Sequence, residues 1–140
     1  MLTVNALNKH YLSGKTSQQV INNLSLSVET GEVVALLGSS GSGKTTLLNL
    51  LSGIDRPDAG DILIDNVNLQ ALNDKQKTLL RREKIGFVFQ FFNLIPTLTV
   101  AENIALPMQL TGVAAHDIAR TTVVLLEKVA LAHTANRYPE

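Results

Sequence analysis

The chain has 140 residues, of which 45% are apolar and 17% charged, a composition that fits one globular domain or a piece of one and not a disordered segment. Twelve basic and twelve acidic residues leave a formal net charge of zero, so a nucleic-acid partner, which needs a concentrated basic surface, is not expected. Cysteine is absent, which excludes a disulfide framework, a thiolate metal site and a cysteine nucleophile, and fits a reducing compartment.

The opening stretch MLTVNALNKHYLSGK has no long apolar core behind a basic start, so no signal peptide is expected. No run approaches the roughly 18 apolar residues of a membrane helix, which leaves a membrane-bound partner possible but no span in the chain itself. Residues 2–7 and 20–29 alternate polar and apolar and read as half-buried antiparallel strands, with a turn at Thr30-Gly31. EVVALL (32–37) is a continuous apolar run, the pattern of a central strand covered on both faces. GKTTLLNLLSG then reads as a helix with Leu47, Leu48, Leu50 and Leu51 packing inward, and Gly53 supplies a left-handed C-terminal cap.

Pro57 to Gly60 forms a turn, followed by a strand at 61–65 and a charged amphipathic helix from Asp74. The basic run LLRREK in that helix reads as a solvated face. KIGFVFQ (84–90) is a second hydrophobic strand and FFNLIP a loop. Thr99 and Glu102 have the spacing of a capping box, opening a helix that runs toward Gly112 and giving Glu102 a sufficient structural role. A last helix covers about 116–130, with Ile118, Thr122, Leu125, Leu126 and Val129 on one face. His10, His116 and His133 show no metal-ligand spacing. Strand–loop–helix units after a β-rich start argue for an α/β or mixed architecture.

The chemistry concentrates in Gly38-Ser39-Ser40-Gly41-Ser42-Gly43-Lys44-Thr45, which fits G-x-x-x-x-G-K-[S/T] without a mismatch. A phosphate chain is anionic and crowded with acceptor oxygens. Glycines let the backbone curl so that successive N–H groups point inward, and the loop opens onto a helix N-terminus that also favours anions. Lys44 adds a point charge for β- and γ-phosphates, and the hydroxyl of Thr45 suits Mg²⁺, a hard cation that prefers oxygen. Thr46 continues the same turn of helix. The plain alternative is a glycine-rich connector that carries a lysine by chance, and the strand before it and helix after it argue against that.

Three stretches taken together, ALLGSSGSGKTTLLNLLSGIDRPDAGDILID, IGFVFQFFNLIPTLTVAENIALPMQLTG and ANRYPE, resemble the nucleotide-binding subunit of ATP-binding cassette (ABC) transporters, most of all the lipoprotein-release and macrolide-export type. The resemblance covers essentially the whole chain. It implies an α/β fold: a P-loop NTPase (RecA-like) core with an N-terminal antiparallel β part and the start of a helical subdomain, divided at about 1–95 and 96–140. Tyr11 matches the aromatic residue that stacks on adenine, the alternative being a strand tyrosine packed in a core. Gln90 matches the Q-loop glutamine, whose amide oxygen serves Mg²⁺ or a bound water and whose NH₂ serves phosphate. Lys44 and Gln90 are thus the residues expected to act in catalysis, and Thr45 and Gln90 those expected to meet the metal. The apolar loop FFNLIPTLTV lies near where a membrane subunit docks in this family, unless it folds over its own core.

The resemblance further implies ATP and Mg²⁺ as cofactors, a transmembrane permease and a second nucleotide-binding subunit as partners, and a peripheral place at the cytoplasmic face of the plasma membrane. It also marks what the 140 residues do not contain: a signature sequence of the LSGGQ type, a Walker B aspartate with its catalytic glutamate, and a switch histidine. In the family the Walker B strand lies beside the P-loop strand, so EVVALL is expected to show an unpaired apolar edge. The chain alone is expected to dissolve poorly, bind nucleotide weakly and hydrolyse it negligibly. A truncated nucleotide-binding module without turnover stands as the second reading. Another P-loop class, a small-molecule kinase or a GTPase, is disfavoured because no guanine-specific motif or acceptor lid is visible.

Overall fold

The computed structural model describes residues 1–14 and 16–139. They fall into two compact units, Met1–Gly86 and Phe87–Glu140. The first is built on a four-stranded antiparallel sheet of order β2-β1-β3-β4. Its strands are β1 (Leu2–Ser13), β2 (Thr16–Val28), β3 (Ala59–Ile64) and the short β4 (Val67–Asn68). Leu2 faces Val28 on one side and Ile64 on the other, and Val4 faces Leu26 and Ile62 in the same way. This register puts the apolar members of each alternating strand on one face.

One helix, α1 (Lys44–Leu51), covers that face. Val4, Leu7, Ile21, Leu47, Leu50, Ile62 and Leu69 form a single buried cluster. Leu47, Leu50 and Leu51 lie on one side of the helix by the i, i+3, i+4 rule, with Leu47 and Leu50 buried and Leu51 half-buried. Leu48 was expected to join them. It is instead 55% exposed, because it lies about 100° round the helix from Leu47. The helix ends as the sequence foretells: Gly53 has φ +68°, its N–H bonds Leu50 O at 3.0 Å, and the Ile54 N–H bonds Asn49 O at 3.0 Å. Those two bonds are the paired closure of a Schellman cap.

Gly60 fixes the entry to β3. Its φ is +90°, and a Cβ there would come within 2.5 Å of the carbonyl oxygens of Asn5 and Ala6, where β1 shifts register. Only glycine fits that approach. Helix α2 (Asp74–Lys84) completes the unit, opened by a capping box between Asn73 and Gln76.

The two expected hydrophobic strands, 32–37 and 84–90, carry no ladder among the described residues. EVVALL is not covered on both faces: Val33 is 95% and Leu37 88% exposed, and Val88 in the second stretch is fully exposed. Apolar content and β propensity mark both segments as strand-like, but a strand exists only against a hydrogen-bonding neighbour, and no described segment pairs with either.

The second unit holds α3 (Val100–Leu110) and α4 (Ala115–Lys128), which pack together. Thr99 and Glu102 form the expected capping box, with the Thr99 N–H donating to Glu102 Oε2 at 2.7 Å and the Glu102 N–H donating to Thr99 Oγ1 at 3.2 Å. Two more first-turn donors of α3, the N–H groups of Val100 and Ala101, bond Arg137 O and Ala135 O at 2.8 and 3.0 Å, so ANRYPE closes over that helix end. On α4, Ile118, Thr122 and Leu126 are buried as expected. Leu125 and Val129 share the stripe but are 42% and 61% exposed, since α3 covers only part of it.

Candidate functional site

The segment Gly38–Thr45 curls at the head of α1. The Ser42 N–H turns back onto Ser39 O at 3.3 Å, and Gly41 and Gly43 have φ of +80° and +91°. A Cβ on Gly43 would come 2.8 Å from Val20 Cγ1 of β2, and one on Gly38 would come 2.6 Å from Ser42 Oγ. Gly43, with its positive φ and no room for a Cβ, lets the loop lie tight against the sheet, and Gly38 leaves space for the Ser42 hydroxyl where the loop closes on itself.

Gly43 is the N-cap of α1 and offers no side-chain hydrogen bond, and the first turn of the helix has no acidic residue. The initial N–H groups of a helix need partners from outside it, and among the described residues no side chain caps them. The Lys44 ammonium meanwhile folds over the loop and donates to Gly38 O at 2.9 Å, Ser39 O at 2.6 Å and Ser42 Oγ at 3.4 Å. All three acceptors are neutral, so the positive charge has no counter-ion there.

Ser40, Gly41, Gly43, Lys44, Thr45 and Thr46 line a cavity of about 420 Å³ whose other wall is Tyr11, Gln18 and Val20. The sheet and the loop thus enclose one hollow, polar at the loop side and flanked by a ring. Tyr11 is not a core tyrosine: it is 42% exposed. Its hydroxyl donates to Asp55 Oδ2 at 2.7 Å, and the Lys9 ammonium lies 5.0 Å from the ring centroid. Lys9 also donates to Asp55 Oδ1 at 2.9 Å and Arg56 O at 2.6 Å. The hydrogen bond that Tyr11 donates to Asp55 holds its hydroxyl above the ordinary pKa. Burial pushes the Asp55 carboxyl up, but the bonds from Lys9, Tyr11 and the Arg56 amide together hold it below its ordinary value.

The sequence reading missed Lys9, Asp55 and Gln18. Gln18 and Val20 stand two apart on β2 and so share a face, a signal that period-2 alternation carries. Asp55 had no such signal, because only the fold brings the turn after α1 to β1.

Gln90 belongs to the other unit, where it is exposed at a bend. Just before it, the rings of Phe87 and Phe89 stack at 5.8 Å between centroids. Phe91 and Phe92 are 78% and 86% exposed, so this loop does not fold over a core of its own. Its far end is fixed by Asn103, whose Nδ2 donates to the carbonyls of Ile95, Leu98 and Thr99 at 3.1, 3.0 and 2.9 Å. Among the described residues no group of three or more His, Cys, Asp or Glu side chains could hold a metal, and His10 instead bonds Asp58 at 3.1 Å. No helix among them is long and apolar enough to cross a membrane.

Residues 21–140 match the family described as ABC transporter. An uncharacterized ABC transporter ATP-binding protein of Mycobacterium tuberculosis is 49% identical over 130 residues, which cover 93% of this chain and 52% of that protein. The lipoprotein-releasing system ATP-binding protein LolD of Legionella pneumophila is 41% identical over 131 residues, covering 94% of this chain and 58% of LolD. Among solved structures, the ATP-binding cassette MJ0796, a dimer in a post-hydrolysis state bound to ADP and Pi, superposes with a TM-score of 0.89 at 36% identity, over 99% of this chain and 62% of that one. The chain therefore spans a little over half the length of the relatives it matches.

Proposed function

The chain belongs to the ABC transporter family, and from that membership we propose that it forms the ATP-binding part of a transporter motor, coupled to a membrane permease and pairing with a second nucleotide-binding subunit. One observation carries the nucleotide assignment: the uncapped start of α1, the curled Gly38–Thr45 loop and the Tyr11 ring face a single hollow.

The residues divide the work by chemistry. The loop and first-turn N–H groups bind the phosphate oxygens, with the helix dipole favouring their charge. Lys44 leaves its neutral carbonyl and hydroxyl partners for an anion, an exchange that charge favours. Tyr11 offers a flat apolar face to adenine, held by Asp55 at its hydroxyl. Mg²⁺, when bound, would neutralise charge on the phosphates, and the residues fit it: Thr45, which lines the hollow, would offer one hydroxyl oxygen, and Mg²⁺ takes few protein ligands beside phosphates and water. By the family resemblance, Gln90 is assigned to offer its amide oxygen to Mg²⁺ or a bound water and its NH₂ to phosphate. The exposed Phe87–Ile95 stretch is assigned to the permease, since an apolar surface of this kind marks an interface. The location that goes with this proposal is the cytoplasmic face of the membrane.

A second reading has its own support. No carboxylate is among the residues lining the hollow, so nothing there orients an attacking water. The 140-residue chain by itself is then a nucleotide-binding module without turnover. Calorimetric titration with Mg-ATP tests the first reading: binding that Lys44→Met and Tyr11→Ala each weaken at least tenfold is the expected result. Equal affinity in the folded Lys44→Met variant overturns it. Phosphate release measured on the same samples separates the two readings, with none expected from residues 1–140.

A further inference from the structure

The hollow beside the phosphate loop has two ends, and its side chains sort between them by chemistry. The loop and the start of α1 supply hydroxyls and the Lys44 ammonium, while the opposite wall is the sheet, with Tyr11 of β1 and Gln18 and Val20 of β2. The antiparallel register sets Tyr11 directly across from Gln18. Side chains paired in this way stand on one face with Cβ atoms about 4.5–5.5 Å apart, which puts the carboxamide beside the ring. We propose that Gln18 selects the base, pairing through its carboxamide with the 6-amino group and N7 of an adenine stacked on Tyr11. The inference rests on the nucleotide reading above and deepens it.

Among the described residues of the sheet wall, only Gln18 has a side chain with both a donor and an acceptor to offer. Val20 is apolar, and the Tyr11 hydroxyl is committed to Asp55 at 2.7 Å. Stacking alone does not separate one purine from another, because every base has a flat π face. A carboxamide carries an acceptor oxygen and an NH₂ donor side by side. Adenine presents the complement on one edge, the N6 donor next to the N7 acceptor, so both hydrogen bonds form at once. Guanine presents two acceptors there, N7 and O6, and the carboxamide oxygen is left facing O6. Gln18 is exposed, so water competes for its amide and the preference falls at the low end for such a pair.

The test is calorimetric titration of the parent chain and of Gln18→Leu with Mg-ATP, Mg-GTP and Mg-7-deaza-ATP, in which a C–H replaces N7. The parent should bind ATP about fivefold to tenfold more tightly than GTP, and 7-deaza-ATP more weakly than ATP. In Gln18→Leu the three affinities should converge. The side chain is exposed, so the variant should keep the parent's melting temperature, which separates a lost contact from a lost fold. An ATP-to-GTP ratio unchanged by Gln18→Leu overturns the proposal, as does a parent that binds ATP and 7-deaza-ATP equally. Either result leaves the nucleotide reading standing, since Lys44→Met should weaken all three ligands alike. A folded parent that binds none of the three overturns that reading, and this one with it.

Discussion

Tyr11 and Asp55 stand 44 positions apart and share a 2.7 Å hydrogen bond, Oη to Oδ2, that ties β1 to the turn after α1. The same carboxylate receives Lys9 at 2.9 Å from beside the ring. A ring at the surface is free to swing about two torsions. Here its tip is anchored and one face lies under the Lys9 ammonium, so the ring that lines the hollow beside the phosphate loop is held with little further entropic cost on binding. Asp55 thus acts as a positioning residue for the proposed base-stacking face.

Asp55→Ala should therefore weaken Mg-ATP binding by about fivefold to thirtyfold, about 1–2 kcal/mol and so the order of one lost hydrogen bond, although Asp55 does not line the hollow. Tyr11→Phe keeps the face and loses the anchor, so it should cost less than Tyr11→Ala. The double variant Tyr11→Ala/Asp55→Ala should be no worse than Tyr11→Ala alone, because the carboxylate acts through the ring. Calorimetry on the four proteins checks this; additive losses would separate Asp55 from Tyr11.

Gly43→Ala meets two obstacles at once, a φ of +91° and a Cβ placed 2.8 Å from Val20 Cγ1. The expected cost is about 1–3 kcal/mol of stability from the backbone conformation, with loss of nucleotide affinity as the loop is pushed off the sheet. Lys44→Met should have the opposite profile, since its three acceptors are loop carbonyls and a hydroxyl that water can serve: stability close to the parent and affinity largely lost. Melting curves and titrations on both variants make the comparison.

Much of this site can be read directly from the residues, because its signals are local. The phosphate loop is a contiguous pattern, the Schellman end of α1 follows from Gly53, and the Thr99–Glu102 box follows from spacing. What could not be read is what depends on distant partners. EVVALL has the composition of a central strand and shows Val33 and Leu37 to solvent, because composition sets how well a segment would pair and not whether a neighbour is there. Lys9 looks like an ordinary polar strand residue, yet it is buried with its ammonium on Asp55, a contact 46 positions away. Even the strong α4 periodicity ranked Leu125 with Ile118, since a helical wheel cannot tell how wide the covering helix is.

Acid should unfold the chain through a definable set of carboxyls. Asp58 is held below its ordinary pKa first by the His10 amide, Asp65 by the N-terminal ammonium, and Glu102 by the Thr99 amide. Asp55 is lowered by its three donors against the opposing effect of burial. A carboxyl depressed in the folded state releases its proton more readily there than in the unfolded chain. Its contribution is therefore complete above the ordinary carboxylate range, near pH 4, and is lost as pH falls through the depressed values. Melting temperature should hold steady from pH 7 to about 5 and then drop, with a shallower drop in Asp55→Asn. An equally steep fall in that variant would show that the Lys9–Asp55–Tyr11 cluster contributes nothing to acid sensitivity.

Thr122 gives the sharpest stability test in the second unit. It is 6% exposed on α4, and its Oγ1 is buried with no hydrogen-bond partner among the described residues. Valine has the same branched shape without the hydroxyl. A buried hydroxyl left unpaired costs about 1–3 kcal/mol relative to one that is satisfied, and its removal by an apolar group of equal shape releases that penalty. Thr122→Val should therefore raise the melting temperature of this unit, by an amount corresponding to about 1 kcal/mol. Thr122→Ser keeps the unpaired oxygen and loses a methyl from a buried position, so it should lower the melting temperature instead. Opposite signs for the two substitutions, measured under one set of conditions, identify the hydroxyl as the destabilising atom. A loss in both would mean that Oγ1 has a partner, such as a water, in the folded protein.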